Sequence, residues 1–281
     1  MNFIRQGFRS ASSFRNAPMS DDELRRAAPS IFALEPWQKM SDRYRFVPTI
    51  DVVTKMRQEG FMPVRAEQGR TRIPGKGSFT KHMIRFRQAD VMARQVGQEI
   101  PELVLVNSHD GSSAYVLFAG IFRIACMNGL IVASSSFGEV RTRHSGKEDL
   151  AAGVIDASFE VVEEFPKVAS QIETWKGIML APPQQEALAR AATEVRSTAL
   201  AIEPRKLLWA RRSEDQVAMG GARSLWATAN VVQENLMKGG AHGVGATGRR
   251  SRLRGINSVT EDVRVNRAIW RLTEEMAKLA A

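Results

Sequence analysis

Apolar and polar positions along this chain change their period near residue 150, from short β-like runs to helical spacing. Between residues 101 and 136 the apolar runs 103–106, 114–118, 121–127 and 130–132 are separated by polar clusters. The cluster Asn107-Ser108-His109-Asp110-Gly111-Ser112-Ser113 contains an Asp-Gly pair that tolerates positive φ, and side chains able to satisfy the local backbone. It predicts a hairpin turn. Gly120 interrupts the next run and Asn128-Gly129 marks a second turn, so the stretch predicts a three-stranded meander. Periodicity alone leaves residues 120–127 open to a buried helical turn as well.

Upstream, Ser20 followed by Asp21, Asp22 and Glu23 predicts a capping box, and Pro29 ends the short helix it starts. Residues 30–48, with Pro36, Pro48 and the aromatics Phe32, Trp37, Tyr44 and Phe46, predict an extended segment lying on the body. Thr49 is expected to cap a second helix that reaches Lys55 and stops at Gly60. Residues 81–87 alternate as a strand, with Lys81, Met83, Arg85 and Arg87 on one face and His82, Ile84 and Phe86 on the other. One face of that strand is therefore cationic.

Downstream, Ile155, Phe159, Val162, Val168, Ile172, Trp175 and Met179 recur at helical spacing across residues 152–180, with Pro166 expected to kink or divide the helix. Pro182-Pro183 is expected to end it, and residues 184–202 to form a second helix. Residues 225–237 are amphipathic and stop at Lys238-Gly239-Gly240. Residues 239–255 hold too few apolar positions to fold alone, which predicts a disordered Gly/Arg loop. A last helix begins at Thr260, and its stripe Val265, Ile269, Leu272 and Met276 must cover the body or another subunit.

Charge changes the picture. The 281 residues carry 40 Lys+Arg against 30 Asp+Glu, a formal +10, which favours a polyanionic partner. The positive residues concentrate at Arg65, Arg70, Arg72, Lys76, Lys81, Arg85 and Arg87, again at Arg141-Thr142-Arg143-His144-Ser145-Gly146-Lys147, and again at Arg249, Arg250, Arg252 and Arg254. As ordinary structure these are solvated faces; as function they are phosphate contacts. Residues 1–20 carry Arg5, Arg9 and Arg15 with no acid until Asp21, the composition of an organellar transit peptide or of a basic flexible arm. No run reaches the roughly 20 apolar residues of a membrane span, so no membrane is expected.

Candidate chemistry is sparse. Cys126 is alone, sits in an apolar run and reads as a buried thiol, while four scattered histidines offer no zinc spacing. Asn107, His109, Asp110 and His144 form the one polar constellation that a hydrolase could use; as ordinary structure, Asp110 is a turn former and His109 a loop residue. The glycines of residues 239–248 lack Walker spacing, so no nucleotide cofactor is expected there or elsewhere.

Several strings together resemble a known family: Ala28-Pro29-Ser30-Ile31-Phe32, Arg43-Tyr44-Arg45-Phe46-Val47-Pro48-Thr49, Lys81-His82-Met83-Ile84-Arg85-Phe86-Arg87, Asn107-Ser108-His109-Asp110-Gly111-Ser112 and Phe122-Arg123-Ile124-Ala125-Cys126-Met127-Asn128-Gly129-Leu130. Asn230-Val231-Val232-Gln233-Glu234-Asn235-Leu236 and Asn266-Arg267-Ala268-Ile269-Trp270 extend the likeness to the C-terminal region. It is similar to the phage/plasmid-like family of unknown function numbered nine-three-two. The resemblance implies a bacterial, cytoplasmic setting on mobile elements and favours the flexible arm over the transit peptide. It carries no catalytic residue across. That setting is shared with single-strand annealing recombinases, which is analogy rather than homology.

The expected architecture is α+β, a central antiparallel, hairpin-rich sheet covered by C-terminal helices. It divides into an arm at residues 1–19, a β-rich core with N-terminal helices at 20–150 and a helical region at 151–281. The leading functional expectation is a non-catalytic, oligomeric binder of DNA, single-stranded by preference, acting in recombination. An interaction protein that counters a host defence or replication factor is the alternative, and a hydrolase the third reading.

Overall fold

A computed structural model of the chain describes residues 17–38, 44, 46–89, 99–123, 128–132, 140–142, 150–196, 200–217 and 221–280. Residues 1–16 of the expected arm, the Cys126 thiol, His144 and most of the basic turn at 141–147 lie outside these residues.

The capping box forms as the sequence predicts. The Ser20 hydroxyl accepts from the Glu23 amide at 3.3 Å and the Glu23 carboxylate accepts from the Ser20 amide at 3.0 Å, opening α1 (Asp21–Ala27). The next helix, α2 (Thr49–Gln58), differs from expectation. Pro48 stands at its N-cap, and the Thr49 side chain turns inward instead of capping.

The sheet follows. Strands β1 (Phe61–Gln68), β2 (His82–Gln88), β3 (Glu99–Asn107), β4 (Tyr115–Arg123) and β5 (Asn128–Ile131) lie in sequence order, and β6 (Val140–Thr142) pairs with the far part of β4. Every pairing is antiparallel, and a bulge bends β1 between Pro63 and Arg65. The turn at 108–114 joins β3 to β4, as predicted. Gly120 does not interrupt β4, because its backbone pairs with both Glu102 of β3 and Ile131 of β5.

Alternation then gives the sheet two buried faces. Ile84, Phe86, Leu103, Leu105, Leu117 and Ile121 point to one side, where they share a core with Val52, Val53 and Met56 of α2 and with Val154, Ala157 and Val161 of α3 (Leu150–Glu163). Met83, Val104, Val106, Val116, Phe118 and Ile131 point to the other, under Val259 and Val263 of the last helix.

Pro166 divides the expected long helix: α3 stops at Glu163 and α4 (Phe165–Gly177) begins with the proline in its first turn, where a missing N–H is tolerated. The same rule corrects the reading of Pro182-Pro183. These prolines start α5 (Pro182–Val195) rather than precede it, and α5 ends before Ala201 and Ile202, which form a strand. Short strands β7 (Met179–Leu180), β8 (Ala201–Ile202) and β9 (Arg223–Ser224) link this region to α6 (Leu225–Lys238). Ser224 caps α6, and the helix is buried along most of its length.

The Gly/Arg segment is folded, contrary to the disorder its composition predicts. It forms β10 (His242–Val244) and β11 (Arg250–Arg252), which pair with each other and, through β10, with β8. Composition failed here because the segment is held by backbone pairing, not by an apolar core of its own. A Cβ at Gly243 would run into the Ala201 carbonyl, so only glycine lets the strands meet there.

The final helix, α7 (Val259–Ala280), closes the molecule. Its stripe is spent within the chain: Val265, Ile269 and Trp270 are buried, and Leu272 and Met276 pack on the same core. Trp270 meets Trp175 of α4 at 4.7 Å and Trp226 of α6 at 6.4 Å between ring centroids, an aromatic joint for three helices. No helix among the described residues is long and apolar enough to cross a membrane.

Candidate nucleic-acid interface

The cationic face predicted for β2 is not a surface. Arg85 and Arg87 are 2% and 3% exposed, with Asp262 of α7 and Gly129 of β5 against Arg85 and Phe122 of β4 against Arg87. Both aim at one carboxylate on β3. Arg85 Nη1 lies 3.1 Å from Glu102 Oε2, and Arg87 reaches Glu102 Oε1 through Nη2 at 2.7 Å and Nε at 2.8 Å. Arg85 Nη2 also donates to the Gly129 carbonyl at 3.1 Å, while Arg87 stacks 4.3 Å from the Phe122 ring centre. Asp262 of α7 completes the cluster, 4.0 Å from Arg85. Burial pushes its carboxyl up to about 6, against the pull of the Arg85 charge. Two guanidiniums facing two acids form an internal ion cluster, and neither arginine is available to a phosphate.

Other predicted contacts are partly engaged. Arg65 pairs with Glu67 at 2.5 Å, Lys76 with Asp110 at 3.1 Å, and Lys81 donates to the Thr260 hydroxyl at 3.2 Å. Arg70 and Arg72 are exposed in the loop before β2. Lys81 and Arg141 also line a cleft of about 200 Å³ between the β3–β4 turn and the start of α7.

The polar constellation assembles in part. Asn107 and His109 meet, but around Thr49 and with His82 and Tyr115, none of which the sequence reading placed in that constellation. Thr49 Oγ1 lies 2.9 Å from His82 Nε2, 3.0 Å from His109 Nε2, 3.0 Å from Asn107 Nδ2 and 3.2 Å from the Tyr115 hydroxyl. His82 Nδ1 lies 3.0 Å from the Ser30 hydroxyl and 3.2 Å from the Thr80 carbonyl; the carbonyl can only accept, so the tautomer that suits it carries its proton at Nδ1 and takes the Thr49 proton at Nε2. Asn107, and His109 through Nε2–H, then donate to the Thr49 oxygen. Tyr115 donates to the Val47 carbonyl at 2.9 Å, and burial drives its hydroxyl well above the usual tyrosine range.

All five side chains are sealed from solvent, so the network ties α2 to β2, β3 and β4 and presents no reacting group to a substrate. Asp110 faces the other way. Burial would raise its carboxyl, but hydrogen bonds with Ser112, Lys76 and Ser108 outweigh this and hold it below the usual carboxylate range. Among the described residues no group of three or more His, Cys, Asp or Glu side chains could hold a metal.

Beside exposed Arg70 and Arg72, the cationic surface among the described residues is the β10–β11 hairpin. Arg249, Arg250, Arg252 and Arg254 are all exposed, and none is within ion-pair distance of an acid among the described residues. Arg250 and Arg252 are two residues apart on one strand and so project on one side. Their backbone is firmly held. The Gly240 amide donates to the Leu253 carbonyl and the Leu253 amide to the Ala241 carbonyl, both at 2.8 Å, and the Leu253 side chain is buried.

Arg196, its charge disfavoured by burial, donates to the Leu236 and Arg254 carbonyls at 2.6 and 2.8 Å, and Lys206 donates to the His242 carbonyl at 3.2 Å. Two further residues that the sequence reading passed over stand beside the hairpin, Trp209 and Arg211. The signal for them was the string Trp209-Ala210-Arg211-Arg212, an aromatic among cations, outside any periodic element.

Comparison with known proteins agrees with the sequence resemblance. The chain is 38% identical over 264 residues to UPF0380 protein YafZ of Escherichia coli (strain K12), covering 93% of each chain. It has the same identity and coverage with UPF0380 protein YfjQ of the same organism. No solved structure matches. The profile of a domain of unknown function, DUF932, spans residues 36–270, from the segment before Trp37 to the buried Trp270, and the chain belongs to that family.

Proposed function

We propose that the protein binds nucleic acid, without catalysing a reaction on it, through the arginines of the β10–β11 hairpin. The observation that carries this reading is the placement of Arg250 and Arg252 on an ordered strand, flanked by Arg249 and Arg254 and free of acidic partners among the described residues. Such a row suits a phosphate backbone, and a net +10 favours the encounter. Arg70 and Arg72 are secondary contacts in this proposal. Single-stranded DNA is the proposed ligand, in annealing-like recombination on a phage or plasmid in the bacterial cytoplasm. Assembly of several copies belongs to the same proposal. Since α7 buries its apolar stripe within the chain, Leu279 in its last turn is the large apolar side chain of this helix left exposed among the described residues.

The test is fluorescence anisotropy with a labelled single strand across a salt series, comparing the native protein with Arg250→Glu/Arg252→Glu. Loss of two phosphate contacts should weaken binding at least tenfold and flatten the logarithmic salt slope by about 1.4. Equal affinity of the charge-reversed protein, or no salt-dependent binding by the native one, overturns the proposal.

A further inference from the structure

Trp209 is 78% exposed, whereas Trp175, Trp226 and Trp270 are each at most 3% exposed. It is not on a loose loop. Leu207 and Ala210 on either side are buried, and Asn235 of α6 donates through Nδ2 to the carbonyls of both Leu207 and Trp209 at 2.9 Å. The same Asn235 accepts from Arg211 Nε at 2.7 Å through its Oδ1. One buried amide thus sets the position of an exposed indole and of a guanidinium two residues on. Their Cα atoms are at most about 7 Å apart, within the reach of one nucleotide.

The Arg211 guanidinium has a neighbour. It donates through Nη2 to the Gly239 carbonyl, and Arg252 of β11 donates through Nε to the Gly240 carbonyl at 3.2 Å. A methyl group on Gly240 would stand 3.4 Å from Nη2 of each, so the two cations converge on that glycine. Neither pairs with an acid among the described residues. Each keeps N–H groups unused by these bonds, and two adjacent like charges repel unless an anion lies between them.

We propose that Trp209, Arg211 and Arg252 form a nucleotide-binding position for single-stranded nucleic acid: the indole stacks on an unpaired base while the two guanidiniums hold a phosphate of the same strand. The position rests on the proposed hairpin interface and adds to it the side chain that would favour an unpaired strand over a duplex. A duplex hides its base faces in its own stack, so the indole gains nothing from it, whereas an open strand offers a face at every base. The arginines set affinity for any polyanion; Trp209 sets the preference for the unpaired one.

The test uses the full chain with labelled oligothymidylate and with a duplex of equal length, for the native protein and for Trp209→Ala, Trp209→Phe and Arg250→Glu/Arg252→Glu. Trp209→Ala should lower single-strand affinity about tenfold, leave duplex affinity and the salt slope as they were, and Trp209→Phe should recover most of the loss. Tryptophan emission of the native protein should be quenched by the oligonucleotide, and that quenching should vanish in Trp209→Phe.

Full single-strand affinity in Trp209→Ala overturns the stacking position; the hairpin interface still stands if the double charge reversal binds weakly. Absence of any binding by the native protein overturns both. If Trp209→Ala keeps its affinity but sediments as a smaller species, the indole belongs to a contact between copies and the inference is wrong.

Discussion

Arg85 Nη1 lies 3.1 Å from Glu102 Oε2 in a cross-strand pair almost wholly sealed from water. Glu102 also holds Arg87, so one carboxylate bonds two buried cations, and the second acid, Asp262, stands farther off at 4.0 Å from Arg85. Removal of Glu102 leaves both guanidiniums short of a counter-charge in a medium that solvates them poorly.

Glu102→Gln should therefore cost about 3–5 kcal/mol of folding stability or prevent the protein from accumulating. Urea unfolding of the purified variant, followed by circular dichroism, checks this. A loss under 1 kcal/mol would mean that the cluster is not sealed.

Asp262 makes stability depend on pH in the unusual direction. Its carboxyl rises from the ordinary 3.8 to about 6 on folding, through burial, with the nearby Glu67 charge adding to the rise and Arg85, Arg65 and the Asn266 hydrogen bond opposing it. A raised acid stabilises fully below its unfolded value, and that contribution is lost as pH climbs through its folded value. Asp262→Asn should therefore gain stability relative to the native protein between pH 4 and 7, by roughly 2–3 kcal/mol at the upper end. Melting both proteins at pH 4.5 and 7 gives the difference; a constant gap would refute it.

Thr49→Val keeps shape but deletes the hydroxyl shared by His82, His109 and Asn107. Each donor or acceptor left unmatched in the interior costs about 1–3 kcal/mol. Thr49→Val should thus melt well below Thr49→Ser, which retains the hydroxyl, in thermal unfolding followed by circular dichroism.

Gly129→Ala should destabilise by about 1–3 kcal/mol, because the added Cβ would meet Arg85 Cζ at 2.5 Å in a filled space. Chemical denaturation measures this directly. Gly60→Ala, with nothing within 4 Å of the added carbon, is the control for the steric part, although its φ of +82° adds strain of its own.

Features governed by neighbours in sequence were legible in advance. Ser20 and Glu23 build a cap, Asp110-Gly111 sits in a turn and Pro166 separates two helices, each by a local rule. The alternation of residues 81–87 was legible too, but not what lies over it. Arg85 and Arg87 are buried because α7, beginning at Val259, lands on their face, a contact that no local pattern encodes. Thr49 shows the same limit: a helix-start residue whose hydroxyl belongs to a tertiary network.

Residues 239–255 were misread for a different reason. Their composition predicts disorder, whereas Gly243 admits a close strand pairing that composition does not weigh. Trp209 and Arg211 escaped notice because they lie in irregular backbone, positioned by Asn235 from a helix some two dozen residues on.

β11 is an outermost strand of its small sheet, and among the described residues no strand pairs with its outer side. An open edge invites a second copy to add its own strand, the first step of unwanted association. Here any such approach brings Arg250 and Arg252 against their duplicates, and the repulsion deters it. A bound polyanion would cancel that repulsion, so under the proposed function the edge that keeps free copies apart would open to them once a nucleic-acid strand lay along it.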